Sequence, residues 1–429
     1  MIGIRREDKS RWEGRVPLVP DDIRTLIKQH GLEFQVQKAS NRAFPEEQYE
    51  KAGAQVVDDL KAAPIIMGVK EIPVPCFESN KTYVFFSHTI KAQPANMPAL
   101  RKIVELGCTL IDYERIVDDQ NRRLVFFGRF AGLAGMIDTL WALGQRLDHE
   151  GIITPFSMIQ PAHRYENLEH FSKEIAKVAA VIRSEGMPKE ICPFVCGFAG
   201  YGQVSQGAQN IYDQLPTKEV SPNELASLPA DPHVCYKVVF REEHMVSRID
   251  ASKPFELQEY YKQPELYQAA FYHHVPHLTV LLTGIFWTPK YPRLITQEQF
   301  QKLFAGKQPH LRVVGDVTCD IDGAVACTTR STTPDNPIYV YEPASGETFD
   351  GVAGNGPVVL AVDFLPCELP VDASKYFSGA LSPFIPALAG ADFSGKLEDS
   401  GLPPELQRAV IVYKGRLTEP YSYLQSELV

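Results

Sequence analysis

Short apolar runs alternate with amphipathic stretches through the first third of the chain. Ile2–Arg5 reads as a strand, the segment near Pro20–His30 as a helix, and Glu33–Gln37 as a second strand. A helix near Glu46–Ala52 follows. Two strand-like runs come next, Pro64-Ile-Ile-Met-Gly-Val ending in Lys70 and Thr82-Tyr-Val-Phe-Phe-Ser ending in His88. A helix near Ala95–Glu105 leads into the strand Cys108–Glu114. Strands separated by helices predict parallel β-α-β units. Asp118–Asn121, between Arg115-Ile-Val and Arg122-Arg-Leu-Val-Phe, predicts a hairpin turn.

The run from Phe126 to Gly144 is apolar enough to imitate a membrane span, but Arg129 and Asp138 fall inside it. Each would cost roughly 2.5–3.5 kcal/mol at a bilayer centre. A buried helix joining two domains fits better, and Ala131, Gly132, Ala134 and Gly135 would let another backbone approach it. Beyond it the pattern gives a helix over Phe171–Glu185, a strand over Ile191–Cys196 and a helix over Ser205–Leu215. Further strands are expected at Val234–Phe240, His277–Leu282 and His310–Val314. A loop-rich stretch (Thr328–Asn336), the run Val358–Val362 and helices near Ala373–Leu381 and Pro404–Val410 complete the chain. No internal repeat is visible.

Composition narrows the partners. The 429 residues carry 43 basic and 53 acidic side chains, a net charge of −10, with no basic stripe of interleaved aromatics, so nucleic acid is not an expected partner. No membrane association is expected either. The eight cysteines are scattered without a Cys-x-x-Cys pair and read as reduced core residues. Only Met1 precedes the first strand, so no leader segment is read. The expected location is cytoplasmic, or the mitochondrial matrix for a trimmed mature form. His273-His274-Val-Pro-His277 has no Cys or acidic partner at zinc-ligand spacing, so a structural role and no metal are expected.

Between the strand ending at Cys196 and the next helix lies Gly-Phe-Ala-Gly200-Tyr-Gly202-Gln203-Val204-Ser-Gln-Gly207. A strand, a glycine turn and a helix N-terminus in this order suit the pyrophosphate of a dinucleotide. The spacing places the third glycine later than the usual Gly-x-Gly-x-x-Gly. Gly351-Val-Ala-Gly354-Asn-Gly356 repeats the outer spacing, but Pro357 and a β-branched run follow, so no helix presents amides there. In the next strand, Thr217–Val220, an acidic tip would hold the ribose of NAD, whereas Ser221 suits the 2′-phosphate of NADP. Glu219 would reverse that reading if the register moved by one residue. The expected fold class is α/β, two Rossmann-like parallel-sheet domains facing a central cleft. Residues 1–132 form a substrate domain with 357–429 packing back on it, and 133–356 form the dinucleotide-binding domain.

In open α/β sheets ligands sit beyond the carboxyl ends of the strands. Lys70 and His88 are delivered to that edge, and both can work as acid and base near neutrality once burial or a neighbouring cation adjusts the lysine. Arg5, Arg6, Arg15, Lys91, Arg122, Arg123 and Arg129 make strand tips and loops locally basic, a setting that suits a carboxylate such as that of a keto acid. Glu114, or an aspartate of the 118–119 turn, could pair with an amine. Arg122 and Arg123 are not separable from sequence.

These residues carry a resemblance. Ile-Gly-Ile-Arg-Arg-Glu followed by Glu13-Gly-Arg15-Val-Pro-Leu-Val-Pro20 resembles the opening of the alanine dehydrogenase and transhydrogenase N-domain superfamily. Gly68-Val-Lys70-Glu, Tyr83-Val-Phe-Phe-Ser-His88-Thr-Ile-Lys91-Ala-Gln93, Leu110-Ile-Asp-Tyr-Glu114 and Asp316-Val-Thr-Cys-Asp320 narrow it. They resemble the lysine–ketoglutarate reductase family, the saccharopine dehydrogenase (NADP-dependent, lysine-forming) domain of aminoadipic semialdehyde synthases, from residue 2 to about 420. The resemblance implies NADPH-dependent condensation of L-lysine with 2-oxoglutarate to saccharopine. Lys70 and His88 are then the catalytic pair, and Arg15, Lys91, Gln93, Glu114, Arg122 and Arg123 bind substrate. Gly200, Gly202, Gln203, Val204, Ser221 and Asp316 bind NADP, with NAD as the alternative cofactor and Asp316 near the nicotinamide. The family domain is often fused to a saccharopine-oxidising dehydrogenase domain, the one protein partner expected. Two other readings remain open: another amino-acid dehydrogenase of the superfamily, and a catalytically silent NADPH-binding regulatory protein.

Overall fold

A computed structural model describes residues 1–306 and 309–428. The chain forms two compact units, Met1–Phe127 with Pro370–Val429, and Gly128–Leu369. The first holds strands β1 (Ile2–Ile4), β2 (Phe34–Gln37), β3 (Gln55–Val57), β4 (Ile65–Met67), β5 (Thr82–Phe85) and β6 (Thr109–Asp112). Helices α1 (Pro20–His30), α2 (Glu46–Ala52) and α3 (Met97–Glu105) connect them. Local chemistry sets the helix ends. In α1, Pro20 occupies the first turn, Asp21 and Asp22 face its positive end, and Gly31 closes it in the left-handed region at φ 64°.

The second unit opens with α4 (Gly128–His149) and α5 (Leu168–Glu185), then strand β7 (Phe194–Ala199) and α6 (Gln203–Tyr212). Strands β8 (Thr217–Glu219) and β9 (Cys235–Phe240) follow, then a two-stranded ribbon of β10 (Val246–Arg248) and β11 (Tyr267–Ala269). Strands β12 (Val280–Thr283), β13 (Val313–Asp316), β14 (Ile338–Tyr341), β15 (Thr348–Asp350) and β16 (Val358–Leu360) complete its sheet, in the order β15-β14-β16-β13-β12-β7-β9-β8. The strands from β16 to β8 run parallel, and β14 and β15 are antiparallel.

The chain then returns to the first unit through a helix at Pro370–Leu381, and strands β17 (Val410–Tyr413) and β18 (Arg416–Leu417) extend the first sheet to β18-β17-β6-β5-β4-β1-β2-β3. Both sheets are therefore eight-stranded and dominated by parallel pairing, with buried aliphatic strands of the kind helix-covered sheets require.

The division falls at Phe127/Gly128 and Leu369/Pro370 rather than at 132/133 and 356/357. The second shift has a clear cause. Val358–Leu360 is fully buried between two partners, parallel to Val313–Gly315 and antiparallel to Ile338–Val340, and so belongs to the second sheet. The segment 370–428 is the part that packs with the first unit: the Ser374 and Ser378 hydroxyls accept the N–H groups of Val16 and Val19.

Helix α4 explains its own composition. A Cβ at Gly132 would lie 1.8 Å from the Val204 carbonyl oxygen, and one at Gly207 would lie 2.1 Å from the Arg129 carbonyl oxygen. The two glycines face each other across the α4–α6 crossing, so Gly207 serves close helix packing. Among the described residues no helix is long and apolar enough to cross a membrane.

Candidate active site

In the first unit, β1, β4, β5 and β6 end side by side, and their tips are stitched together by buried carboxylates. Glu7, just past β1, accepts the backbone N–H of Val69 at 2.7 Å and of Lys70 at 3.0 Å. Asp112, at the end of β6, accepts the Ser87 N–H at 3.0 Å and its hydroxyl, and also the Glu114 N–H at 2.7 Å. Lys70 and His88 thus leave their strands from backbone that is held on the neighbouring strand.

The His88 and Lys9 side chains converge on Glu71. Its Oε1 lies 2.8 Å from His88 Nδ1 and 3.3 Å from Lys9 Nζ. Burial opposes the Glu71 charge, but the His88 hydrogen bond and nearby positive charge prevail and pull the carboxyl down to about 2. Glu71 is therefore a fixed anion that orients the imidazole, which also stacks near Phe86. The backbone of His88 sits in the left-handed region at φ 51°, where the strand turns away. Lys70 is pushed below the ordinary lysine value by burial first and by the Arg15 charge second. A lysine so placed gives up a proton near neutrality more readily than one in water.

Arg15 is 3% exposed, and its Nε and Nη2 meet Glu13 at 2.7 and 2.5 Å. Its guanidinium lies 4.3 Å from the centre of the Phe127 ring. An incoming carboxylate would share this arginine with Glu13. The two hairpin arginines separate cleanly. The turn forms as expected, with Asp118 N–H donating to Arg122 O. Arg122 is 74% exposed and pairs with Asp118 at 2.7 Å, whereas Arg123 binds the buried Glu114. Arg122 is a solvent-side turn charge, and Arg123 with Glu114 faces the strand tips. Lys91 and Gln93 are exposed, and the Gln93 side chain accepts from Asn96 at 3.4 Å.

In the second unit, β7 ends at Ala199 and α6 begins at Gln203, with the glycine turn between them. Gly200 adopts φ 99° and a Cβ there would strike the Gly284 carbonyl, so only glycine fits. Gly202 caps α6 with extended backbone, and a Cβ there would meet nothing. That open space lies at a helix N-terminus, where a phosphate is favoured. Gln203 is exposed beside it, while Val204 packs under Gly132 and Gly284. A cavity of about 490 Å³ adjoins the turn, lined by Tyr201, Glu242, Tyr260, Tyr261, Trp287 and Tyr291 among others. Its size and aromatic walls suit a nucleoside.

Two expectations change. Ser221 does not reach the cofactor side of the sheet, because β8 is the edge strand and β9 lies between it and β7. Ser221 instead caps the turn Pro222–Ser227, its hydroxyl and N–H both on Glu224. The strand beside β7 is β9, and the residue at its tip is Arg241, whose guanidinium lies 4.6 Å from the Tyr201 ring centre. Asp316 is buried at the end of β13, with Oδ1 on Thr283 and the Cys319 N–H and Oδ2 accepting from Thr328 at 2.6 Å. Its carboxylate is engaged in tying β12 to β13, and burial raises its pKa. The second glycine run, 351–356, connects β15 to β16, which flank β14 on either side, with no helix after it. His274 packs between Phe240 and Phe271, and burial lowers it to about 4.

Sequence reasoning missed Glu7, Glu13, Glu71, Asp112 and Arg241. Glu71 follows Lys70 and Arg241 follows a strand that was recognised, so both were in view. Glu7 and Asp112 bear on residues far along the chain, and no local pattern reports that.

The fold and these two sites define a class. The chain matches the "Alanine dehydrogenase/PNT, N-terminal domain" family over residues 3–134 and its C-terminal domain counterpart over 258–420, and it belongs to the alanine dehydrogenase/PNT family. The fold is shared with a solved L-alanine dehydrogenase (TM-score 0.63, 17% identity, 100% of this chain and 99% of that one). It is also shared with the transhydrogenase of Sinorhizobium meliloti (TM-score 0.53, 15% identity, 98% and 99%).

Within the family, the chain is 36% identical to the mitochondrial α-aminoadipic semialdehyde synthase of Mus musculus, over 99% of this chain and 47% of that protein. It is 35% identical to the Arabidopsis thaliana counterpart, over 99% and 41%. This chain therefore spans less than half the length of those relatives. It is also 26% identical to the saccharopine dehydrogenase [NAD(+), L-lysine-forming] of Neurospora crassa, over 89% of this chain and 90% of that protein.

Proposed function

We propose that this chain is an oxidoreductase that joins the ε-amine of L-lysine to the keto carbon of 2-oxoglutarate and reduces the resulting imine to saccharopine, reversibly. The observation that carries the reading is the cluster at the strand tips: a lysine of lowered pKa, Lys70, next in sequence to a carboxylate that grips His88. Attack of the amine gives a carbinolamine, whose hydroxyl leaves as water once protonated, and the new C=N bond then accepts hydride. In this reading Lys70 and His88 take the proton from the attacking amine and return it to the departing hydroxyl. Arg15 and Arg123 supply positive charge for the substrate carboxylates, and Glu114 supplies an anion for the lysine α-amine. A bound pyridine dinucleotide would supply the hydride. The glycine turn, the α6 N-terminus and the aromatic cavity would hold it.

Between the two dinucleotides the chain favours NADP. Position 241, directly beyond the strand beside β7, is where an acidic residue would claim the ribose 2′-hydroxyl of NAD, and it is an arginine. The Neurospora relative, named for NAD(+), keeps NAD as the second reading. A reducing compartment, cytoplasm or mitochondrial matrix, agrees with the free, buried thiols of Cys108, Cys196, Cys235 and Cys327. A saccharopine-oxidising domain remains the proposed protein partner.

The test is oxidation of NADPH followed by absorbance with lysine plus 2-oxoglutarate, repeated with NADH and with pyruvate plus ammonia. Consumption that needs both lysine and 2-oxoglutarate establishes the reading. Consumption only with pyruvate and ammonia replaces it with a simpler amino-acid dehydrogenase, and silence with NADPH still bound replaces it with a regulatory protein.

A further inference from the structure

Between β9 and β12 the chain makes an excursion that walls the aromatic cavity. A short helix, Glu242–Met245, leads into the β10–β11 ribbon, and the helix Leu257–Lys262 stands between those strands. An aromatic cluster fixes this second helix: Tyr260 meets Tyr267 and Tyr291, each at 5.2 Å between ring centres, and Phe255 meets Tyr267 at 5.6 Å. The neighbouring Tyr261 is thereby presented to the cavity, where its hydroxyl donates to Glu242 Oε1 at 2.7 Å. Burial and the Glu242 carboxylate both raise the Tyr261 phenol, so it keeps its proton and remains a donor.

Two opposed readers of a ribose 2′-position thus follow each other in sequence. Arg241 lies over Tyr201, and among the described residues no carboxylate pairs with its guanidinium. Glu242 lines the cavity, and the Tyr261 hydroxyl holds its carboxylate at Oε1. We propose that Tyr261 is a cofactor-specificity residue, which by holding the Glu242 carboxylate in place leaves the 2′-position of the bound dinucleotide to Arg241 and so selects NADP. The proposal rests on the cavity being the adenosine site. It assigns selectivity to a residue of the excursion as well as to the strand tip. Without the phenol, the Glu242 carboxylate would no longer be held at its Oε1 and would turn toward the 2′-position, accepting from a ribose 2′-hydroxyl and repelling a 2′-phosphate.

The test is titration of the full chain with NADPH and with NADH, read by nucleotide fluorescence, with neither lysine nor 2-oxoglutarate present. A failure to make saccharopine therefore leaves this answer standing. The wild type should prefer NADPH. Tyr261→Phe should lower that preference about tenfold, as a like charge brought near the phosphate requires. Glu242→Gln added to Tyr261→Phe should restore it. An unchanged ratio in Tyr261→Phe, a double variant that stays at the lowered ratio, or a wild type that prefers NADH overturns the proposal. A wild type that binds neither dinucleotide overturns the adenosine-site reading and this proposal together.

Discussion

Glu7 accepts the backbone N–H of Lys70 at 3.0 Å, across 63 residues of sequence. With Val69 N–H on its other oxygen at 2.7 Å, one buried carboxyl holds the segment from which the lysine projects. Burial and the nearby Glu13 raise Glu7 to about 7, so neutral and charged forms are both reachable there.

Glu7→Gln keeps the shape but replaces one acceptor with a donor that faces an N–H. The expected result is a loss of about 1–3 kcal/mol of stability, the cost of a buried unsatisfied amide, together with a fall in kcat larger than any change in KM. Denaturant titration and steady-state kinetics check both. An unchanged kcat would show that the Lys70 backbone does not need this hold.

Lys70→Met removes the proposed acid–base group, which belongs to the first unit. Turnover should fall at least about tenfold, within the range a single proton-transfer group contributes, while dinucleotide affinity stays as in the wild type. Equal turnover in the variant would take Lys70 out of the mechanism.

Two glycines should separate binding from folding. A Cβ at Gly202 meets nothing, so Gly202→Val should keep the melting temperature and abolish dinucleotide binding by filling the space before α6. A Cβ at Gly132 overlaps the Val204 carbonyl, so Gly132→Val should destabilise by about 1–3 kcal/mol or more, as overpacking does. Thermal melts beside nucleotide titrations distinguish the two. Normal binding by Gly202→Val would move the phosphate site elsewhere.

Asp138 and Glu368 give the protein a pH signature. Both are buried, with His163 Nδ1 3.2 Å from Glu368 Oε2 and the Ala162 N–H on Asp138 Oδ1. Burial, then the Glu368 charge, keeps Asp138 protonated; burial raises Glu368 to about 7. Folded values above the unfolded ones mean that the stability these groups contribute is complete below about 3.8 and declines as pH rises through 7. The part of the decline due to Glu368 should be on the order of 3 kcal/mol, and Glu368→Gln should make the slope shallower by that part. Urea midpoints at pH 5 and pH 8 measure this, and a variant with the wild-type slope would assign the titration to another group.

The strand–helix alternation was legible because each element is a local pattern: a buried aliphatic run, a proline at a helix start, a glycine at its end. Lys70, His88 and the glycine turn were legible for the same reason, since each lies at the end of such a run. The hairpin at 118–121 was visible from its turn residues, yet the choice between Arg122 and Arg123 was not. That choice depends on which arginine meets Asp118 and which meets Glu114, a matter of side-chain direction in the folded hairpin.

Sheet order was equally hidden. From sequence, β8 follows β7 and Ser221 stands at its tip. In the fold the chain visits the edge first and then inserts β9 between them, which puts Arg241 rather than Ser221 at the tip of the strand beside β7. By itself the sequence determined where strands and helices form and which chemical groups stand at their ends. Only the tertiary structure decided which ends are neighbours, because strand pairing is a contest among distant segments for the same backbone hydrogen bonds, and local periodicity carries no record of the winner.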